Sequence, residues 1–296
     1  MRLGARVRDV LRLARTGQPP GPPQLAPPGA FYSPVVDAGA LVVEPERSRV
    51  WPADPADPPG IDLRGTAQLE LLAAIGQHPF DWSVERPGPS YDPTNDQFPP
   101  HDAAVLYGLL RTLRPARMVE VGSGWSTTVA AAAIHDGDLG TALTCIEPYP
   151  RDFLHRQPGI ELRQEKVEHT PLAVFDALEA GDVCFIDSSH VAKTGSDVVH
   201  LFSQVLPRLA DGVVVHVHDI FLPEDYPEGW VRHGFNWNEQ YLLQAYLTHN
   251  ARARVLLMNR WTALRHPAEL GAALSLDRFD GSSFWFATGP TPPPAP

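Results

Sequence analysis

The stretch Met118-Val119-Glu120-Val121-Gly122-Ser123-Gly124-Trp125-Ser126 restricts this chain more than any other. An apolar run that reads as a buried strand meets two glycines, and a helical pattern over 126–135 follows. Glycine lets a backbone turn tightly and approach a ligand closely. The next apolar run, over 142–147, ends on Glu147-Pro148. Strand, glycine turn, helix and a second strand ending in a carboxylate make half of a nucleotide-binding α/β sheet.

The rest of the chain extends that pattern. Helices are expected over 102–113, 171–180, 196–209 and 238–248, and further strands over 160–166, 183–187, 212–219, 254–258 and 283–288. Near-continuous apolar strands separated by helices predict a Rossmann-like α/β fold: a seven-stranded, mostly parallel sheet with helices on both faces, plus an N-terminal extension. The expected organisation is a basic helix and Pro-rich linker over 1–29, an extension or lid over 30–100 with one helix at 67–76, the α/β domain over 101–288, and a disordered tail over 289–296. Ligands of such sheets bind beyond the carboxyl ends of the strands. Glu120, Glu147, Asp187 and Asp219 all fall at those ends, so the fold should gather them along one rim.

The turn itself narrows the ligand. A dinucleotide fingerprint wants a third glycine at 127, where this chain has Thr127. Glu120, two residues before the first glycine, suits a cationic amino group better than a phosphate. S-adenosylmethionine carries an ammonium, a carboxylate, a ribose and an adenine, with no phosphate. Glu120 and the backbone of Gly122, Ser123, Gly124 and Ser126 are expected to face its methionine end. Glu147, followed by Pro148, is expected to accept both ribose hydroxyls. Asp187 closes the cofactor side.

With these residues in place, the chain resembles class I S-adenosylmethionine-dependent methyltransferases over roughly 101–288. A second constellation, Asp187-Ser188-Ser189-His190 and His216-Val217-His218-Asp219, sits on the same rim. It resembles the metal-dependent branch of that superfamily, the catechol-type and antibiotic-tailoring O-methyltransferases of natural-product biosynthesis. The resemblance implies a divalent cation held by Asp187 and Asp219. His190 and His218 stand as further candidate ligands. Carboxylate weighting leans to Mg²⁺, with Fe²⁺, Mn²⁺ or Zn²⁺ also open. The chain departs from both patterns after the fifth strand: Ile220 follows Asp219 where the catechol type has Asn, and His218 precedes it where the antibiotic type has a second acid. His190 reads as a general base, as a ligand or as a structural residue, and Asp187 belongs to the catalytic set with it. His216, deeper in the strand, reads as a hydrogen-bonded core histidine. Longer stretches, Phe185 to Asp197, His216 to Pro223, Trp237 to Tyr241, Phe31 to Pro34 and Tyr91 to Phe98, resemble a bacterial subgroup of such enzymes. They carry the likeness over most of the chain without fixing a substrate.

The expected reaction is O-methylation of a small-molecule hydroxyl in bacterial secondary metabolism. N-methylation, metal-dependent cyclisation or oxidation on the same fold, and a non-enzymatic binding protein are the alternatives. The loop Phe221 to Trp230 is expected to wall the acceptor pocket, and Tyr32, Tyr91 and Phe98 either form a lid or simply pack. Residues 236–240 read as helix capping or as part of the acceptor or metal surroundings.

Charge and cysteine content bound the partners. A net charge of −11 argues against nucleic acid, and no apolar run approaches the roughly 18 residues of a membrane span. Two cysteines, Cys145 and Cys184, both inside expected strands, fit a reducing cytoplasm and leave no CxxC zinc pair. Lys166 and Lys193 are the only lysines. Besides the small-molecule acceptor, the partner left open is a second copy of the chain.

Overall fold

Short apolar runs set the sheet. In the computed structural model, which describes residues 26–290, they become β1 (Arg117–Val121), β2 (Ala142–Ile146), β3 (Ile160–Arg163), β4 (Val183–Ile186), β5 (Val214–Val217), β6 (Ala253–Met258) and β7 (Phe284–Thr288). Those of β1, β2, β4 and β7 are stopped directly by a glycine or an acid. The Arg-rich stretch over 1–15, most of the Pro-rich linker and the tail beyond 290 lie outside the described residues. The seven strands form one sheet in the order β3-β2-β1-β4-β5-β7-β6. Neighbours pair in parallel except that β7 runs antiparallel to both β5 and β6.

The helices are α1 (Ala38–Leu41), α2 (Glu46–Val50), α3 (Gly65–Ile75), α4 (Pro100–Leu113), α5 (Trp125–Asp136), α6 (Ala173–Asp176), α7 (Asp197–His200), α8 (Glu228–Arg232), α9 (Glu239–Leu247), α10 (Asn259–Arg265) and α11 (Pro267–Leu274). Alternation along each strand sends successive side chains to opposite faces. Met118, Cys145, Phe185 and Trp285 enter an apolar layer closed by α3, α4, α5 and α11. Val119, Val121, Ile146, Cys184 and Ile186 enter a second, closed by α6, the helical run beginning at α7, and α9. Both cysteines are free and buried.

Several elements differ from expectation for local reasons. The helix expected over 196–209 is α7 followed by a π turn over 201–205 and a 3-10 turn over 206–208. Pro207 lacks an N–H and crowds the preceding turn, which widens the ladder. The helix over 171–180 contracts to α6, and the strand over 212–219 contracts to β5. Helices α8, α10 and α11 were not anticipated. For α11 the signals were present: Pro267 at its first position and Glu269 in its first turn.

Topology locates the site. The chain leaves β1 toward β2 and β3 on one side, then returns to β4 and β5 on the other. A crevice therefore opens beyond the carboxyl ends of β1 and β4, where the strand order reverses. Among the described residues, no helix is long and apolar enough to cross a membrane.

Candidate active site

The glycine turn after β1 is forced by its neighbour. Gly122 has φ +81°, and a Cβ there would stand 1.7 Å from the backbone oxygen of Asp187. Only glycine lets the end of β1 come this close to the end of β4, where the Asp187 N–H donates to Val121 O at 2.8 Å.

Glu120 sits elsewhere than expected. It shares the face of Met118, so its side chain points down under α5 rather than into the cavity, and it is fully buried. Ser126 Oγ and Thr127 Oγ1 donate to its carboxylate at 2.7 and 2.6 Å. Burial pushes the Glu120 carboxyl up to about 7, against the pull of those hydroxyls. Thr127 Oγ1 also accepts the Gly124 N–H at 3.1 Å. The residue that stands in for a third glycine therefore ties the turn to Glu120. Glu120 acts as a brace beneath the turn, and the expectation that it meets the cofactor's amino group is corrected.

Gly122, Ser123, Gly124, Ser126 and Glu147 do line a cavity of about 1330 Å³. Glu147 is oriented by the Tyr149 N–H, which donates to Oε1 at 2.7 Å. Burial raises its pKa against the hydrogen bonds from the Tyr149 and Ser123 N–H groups. A smaller, adjoining cavity of about 390 Å³ contains Pro148, Lys166 and Lys193 and shares Gly122, Glu147 and Asp187 with the first.

Asp187 and Asp219, at the ends of β4 and β5, bring the second half of the rim into the large cavity together with His190. The ligand atoms of Asp187, His218 and Asp219 lie within 4.8 Å of one another, spacing that suits a metal ion. His218 is the buried member of this trio. Its Nε2 is 3.2 Å from Asp102 Oδ2, and its Nδ1 lies 3.5 Å from Asp187 Oδ1 and 3.6 Å from Asp219 Oδ2, without a hydrogen-bond partner among the described residues. His190 has the mirrored arrangement. Its Nδ1 is 2.9 Å from Glu239 Oε2, and its Nε2 lies 3.3 Å from Asp187 Oδ1 and 3.6 Å from Asp219 Oδ2. Trp237 lies over its ring at 4.2 Å between centroids.

The side chains alone leave the cluster strongly polarised. Burial opposes charge on His190, yet its hydrogen bonds to Asp187 and Glu239 raise it to about 10. Burial likewise opposes charge on His218, but Asp219, Asp187 and Asp102 hold it well above its usual value. Asp187, against its own burial, is held below the usual carboxylate range by His218 and His190. Both His190 (φ +60°) and Asp219 (φ +55°) adopt left-handed backbone, a conformation that residues with side chains populate only when their surroundings impose it. Here the His190 carbonyl accepts from the N–H groups of Asn238 and Glu239, and Asp219 Oδ1 accepts from Ser282 Oγ.

His216 is separate from this set. It is fully buried, stacked on Phe185 at 3.7 Å and 2.8 Å from Ser283 Oγ through Nε2. Burial, then the His218 charge, drives its pKa well down.

The extension and the loop after β5 complete the walls. Tyr91 O–H donates to Phe98 O at 2.7 Å and Asn95 Oδ1 accepts the Phe98 N–H at 2.7 Å, which presents Asn95, Gln97 and Phe98 to the cavity. Tyr91 itself is buried against Phe80 and Trp82, and Tyr32 is 78% exposed, so of the three aromatic residues considered for a lid only Phe98 reaches the cavity. Phe221, Trp230, Phe235 and Trp237 form an aromatic wall opposite.

Asp102 and Glu239 are the functional residues that sequence reading missed. They lie 116 and 49 residues from the histidines they hold. Asp102 read as the start of a helix. Glu239 stood only in a segment assigned mainly to capping.

Comparison with known proteins places this geometry. A family of methyltransferase domains matches residues 119–220, from the glycine turn to just past Asp219. An uncharacterized protein of Archaeoglobus fulgidus is 32% identical over 169 residues, covering 53% of this chain and 75% of that protein. Among solved structures, cmcI with Mg and S-adenosylmethionine is 16% identical, covering 83% of this chain and 97% of that one at a TM-score of 0.38. The Podospora anserina methyltransferase PaMTH1 bound to S-adenosylhomocysteine is also 16% identical, covering 63% and 77% at a TM-score of 0.38. These two likenesses are weak and bear no part of the assignment. The chain belongs to one family with the Archaeoglobus protein, and its residues 119–220 match a methyltransferase domain.

Proposed function

We propose that the enzyme methylates a hydroxyl of a small molecule with the help of a divalent cation. One observation carries this reading: the glycine turn with Glu147, and the set Asp187, His190 and Asp219, open into the same cavity. Donor and acceptor can therefore be held together, and such positioning supplies much of the rate in group transfer.

S-adenosylmethionine would lie across the two cavities. The turn at 122–124 would meet its methionine end, Glu147 its ribose hydroxyls, and the smaller cavity by Pro148 its adenine. The donor set of two carboxylates and an imidazole, with the buried, unpartnered Nδ1 of His218 facing both acids, fits a metal ion. Asp187, His218 and Asp219 would hold it. When bound, the ion supplies Lewis acidity that lowers the pKa of an acceptor hydroxyl.

His190 would take the hydroxyl proton. It reaches the cavity and His218 does not, which favours the base role for His190 over that of a further ligand. With Nδ1–H donated to Glu239, its Nε2 faces Asp187, Asp219 and the acceptor side. The acids that raise its pKa are the ones a cation would neutralise. The acceptor O–H bond breaks to His190, the oxygen attacks the methyl carbon in line with sulfur, and the C–S bond breaks. The products are a methyl ether and uncharged S-adenosylhomocysteine. The aromatic wall of Phe221, Trp230, Phe235 and Trp237 would exclude water and seat a bulky, ring-bearing acceptor of the kind made in bacterial secondary metabolism.

The test is transfer of labelled methyl from S-adenosylmethionine to a panel of phenols, vicinal diols and amines, before and after chelation. Label on oxygen, lost on chelation and restored by a divalent salt, is expected. Label on nitrogen, or turnover indifferent to chelation, would overturn the proposed reaction.

A further inference from the structure

We infer that the cation site selects a nitrogen-accepting transition ion, such as Mn²⁺, Co²⁺ or Zn²⁺, over Mg²⁺, and that Asp102 is the positioning residue responsible. The inference rests on the cation-assisted reading above and goes further by naming the ion class and the residue that sets it.

The argument starts at Asp102, which is fully buried. Its Oδ1 accepts from Asn259 Nδ2 at 2.6 Å and from the Ser283 N–H at 2.9 Å, and its Oδ2 accepts from the Ser282 N–H at 3.0 Å. The chain wraps it so closely that a Cβ on Gly281 would stand 2.6 Å from Oδ1. A carboxylate surrounded by donors acts as an acceptor, so His218 must place a proton on Nε2, which lies 3.2 Å from Oδ2. In the neutral imidazole, the form that a cation would hold in exchange for the ring's second proton, the lone pair of Nδ1 is then aimed between Asp187 Oδ1 and Asp219 Oδ2, at 3.5 and 3.6 Å. Three electron-rich atoms converge, and the imidazole is 1% exposed and cannot turn to water. A carboxylate that fixes the tautomer of a ligating histidine is the outer support that tunes metal sites.

The donor set then decides the ion. Mg²⁺ takes oxygen ligands and holds its waters firmly. Imidazole nitrogen suits the later divalent ions, whose affinities rise through the transition series. Replacing one oxygen of an acidic trio by a rigid, buried nitrogen therefore penalises Mg²⁺ selectively.

The experiment is calorimetry on the full-length protein, stripped of metal, titrated separately with Mg²⁺, Mn²⁺, Co²⁺ and Zn²⁺. One transition ion per chain is expected, bound about tenfold or more tighter than Mg²⁺. Asp102→Asn should weaken it by about 10–100-fold while S-adenosylmethionine still binds as in the wild type. His218→Asp, which keeps three ligands but makes all of them oxygen, should erase the preference and alter the visible spectrum of bound Co²⁺. Mg²⁺ binding as tightly as the other ions, with no change on His218→Asp, would overturn the inference and leave the cation-assisted reaction standing. No cation binding at all, in protein that binds S-adenosylmethionine, would overturn both.

Discussion

Glu120 carries the clearest consequence of a single side chain. Its carboxyl is buried beneath the turn and titrates near 7, above the 4.5 of an exposed glutamate. The folded state thus holds a proton that the unfolded state has released between those values. Stability must fall as pH rises from 4.5 to 7 and level off beyond, with a total loss on the order of 3 kcal/mol. Denaturant unfolding of wild type and Glu120→Gln across pH 4–8 measures it. The variant should lack this part of the pH slope, and identical slopes would show that Glu120 stays ionised in its hydroxyl cage. The same residue marks a limit of sequence reading. Its place two residues before a glycine suggested the cavity, yet strand alternation, which puts 118 and 120 on one face, already pointed it toward α5.

At the scale of elements, the start of α9 acts as a clamp on the loop after β4. The Asn238 and Glu239 N–H groups bind the His190 carbonyl, Glu239 holds the His190 ring and Ser188 Oγ, and Trp237 covers the imidazole. If His190 is the base, His190→Asn should lower kcat by about 10²–10⁴-fold with little change in cofactor affinity. Glu239→Gln should shift the pH–rate profile as well as the rate, because it alters the charge that sets His190. Steady-state kinetics over pH distinguishes this from mere loosening of the loop, which would lower the rate at all pH values alike. Periodicity made the strands and α5 legible because their determinants are local. The clamp was not, because Glu239 and Asp102 gain meaning only when the sheet brings distant segments together. The π turn before Pro207 escaped for a different reason: apolar spacing predicts a helical run and says nothing of its pitch.

For the whole molecule, the N-terminal extension packs as part of the core. Leu72 and Ile75 of α3 are each 1% exposed in the layer that holds Met118 and Trp285, and Gln68 Oε1 accepts the Met258 N–H at 2.8 Å. Leu72→Ala should cost about 2–5 kcal/mol, read as a lower midpoint of a single unfolding transition. A separate early transition for the extension would contradict that packing. The same layering delivers the rim: β1 and β2 bring the turn and Glu147, β4 and β5 bring Asp187, His218 and Asp219, and the extension brings Phe98. The spacing of those acids along the strands and the wall from the loop after β5 were readable from sequence, whereas the turning of Tyr91 into the core and of Phe98 to the cavity depends on a loop course that no short-range pattern encodes. The central claim is that this rim holds S-adenosylmethionine through its β1–β2 half. Calorimetric titration of the full-length protein with S-adenosylmethionine tests it most directly. One molecule per chain should bind, about 10–100-fold more weakly in Glu147→Ala, as loss of a charged hydrogen-bond acceptor implies, and unchanged in His218→Asn. No binding at millimolar ligand, or equal affinity in Glu147→Ala, would contradict it.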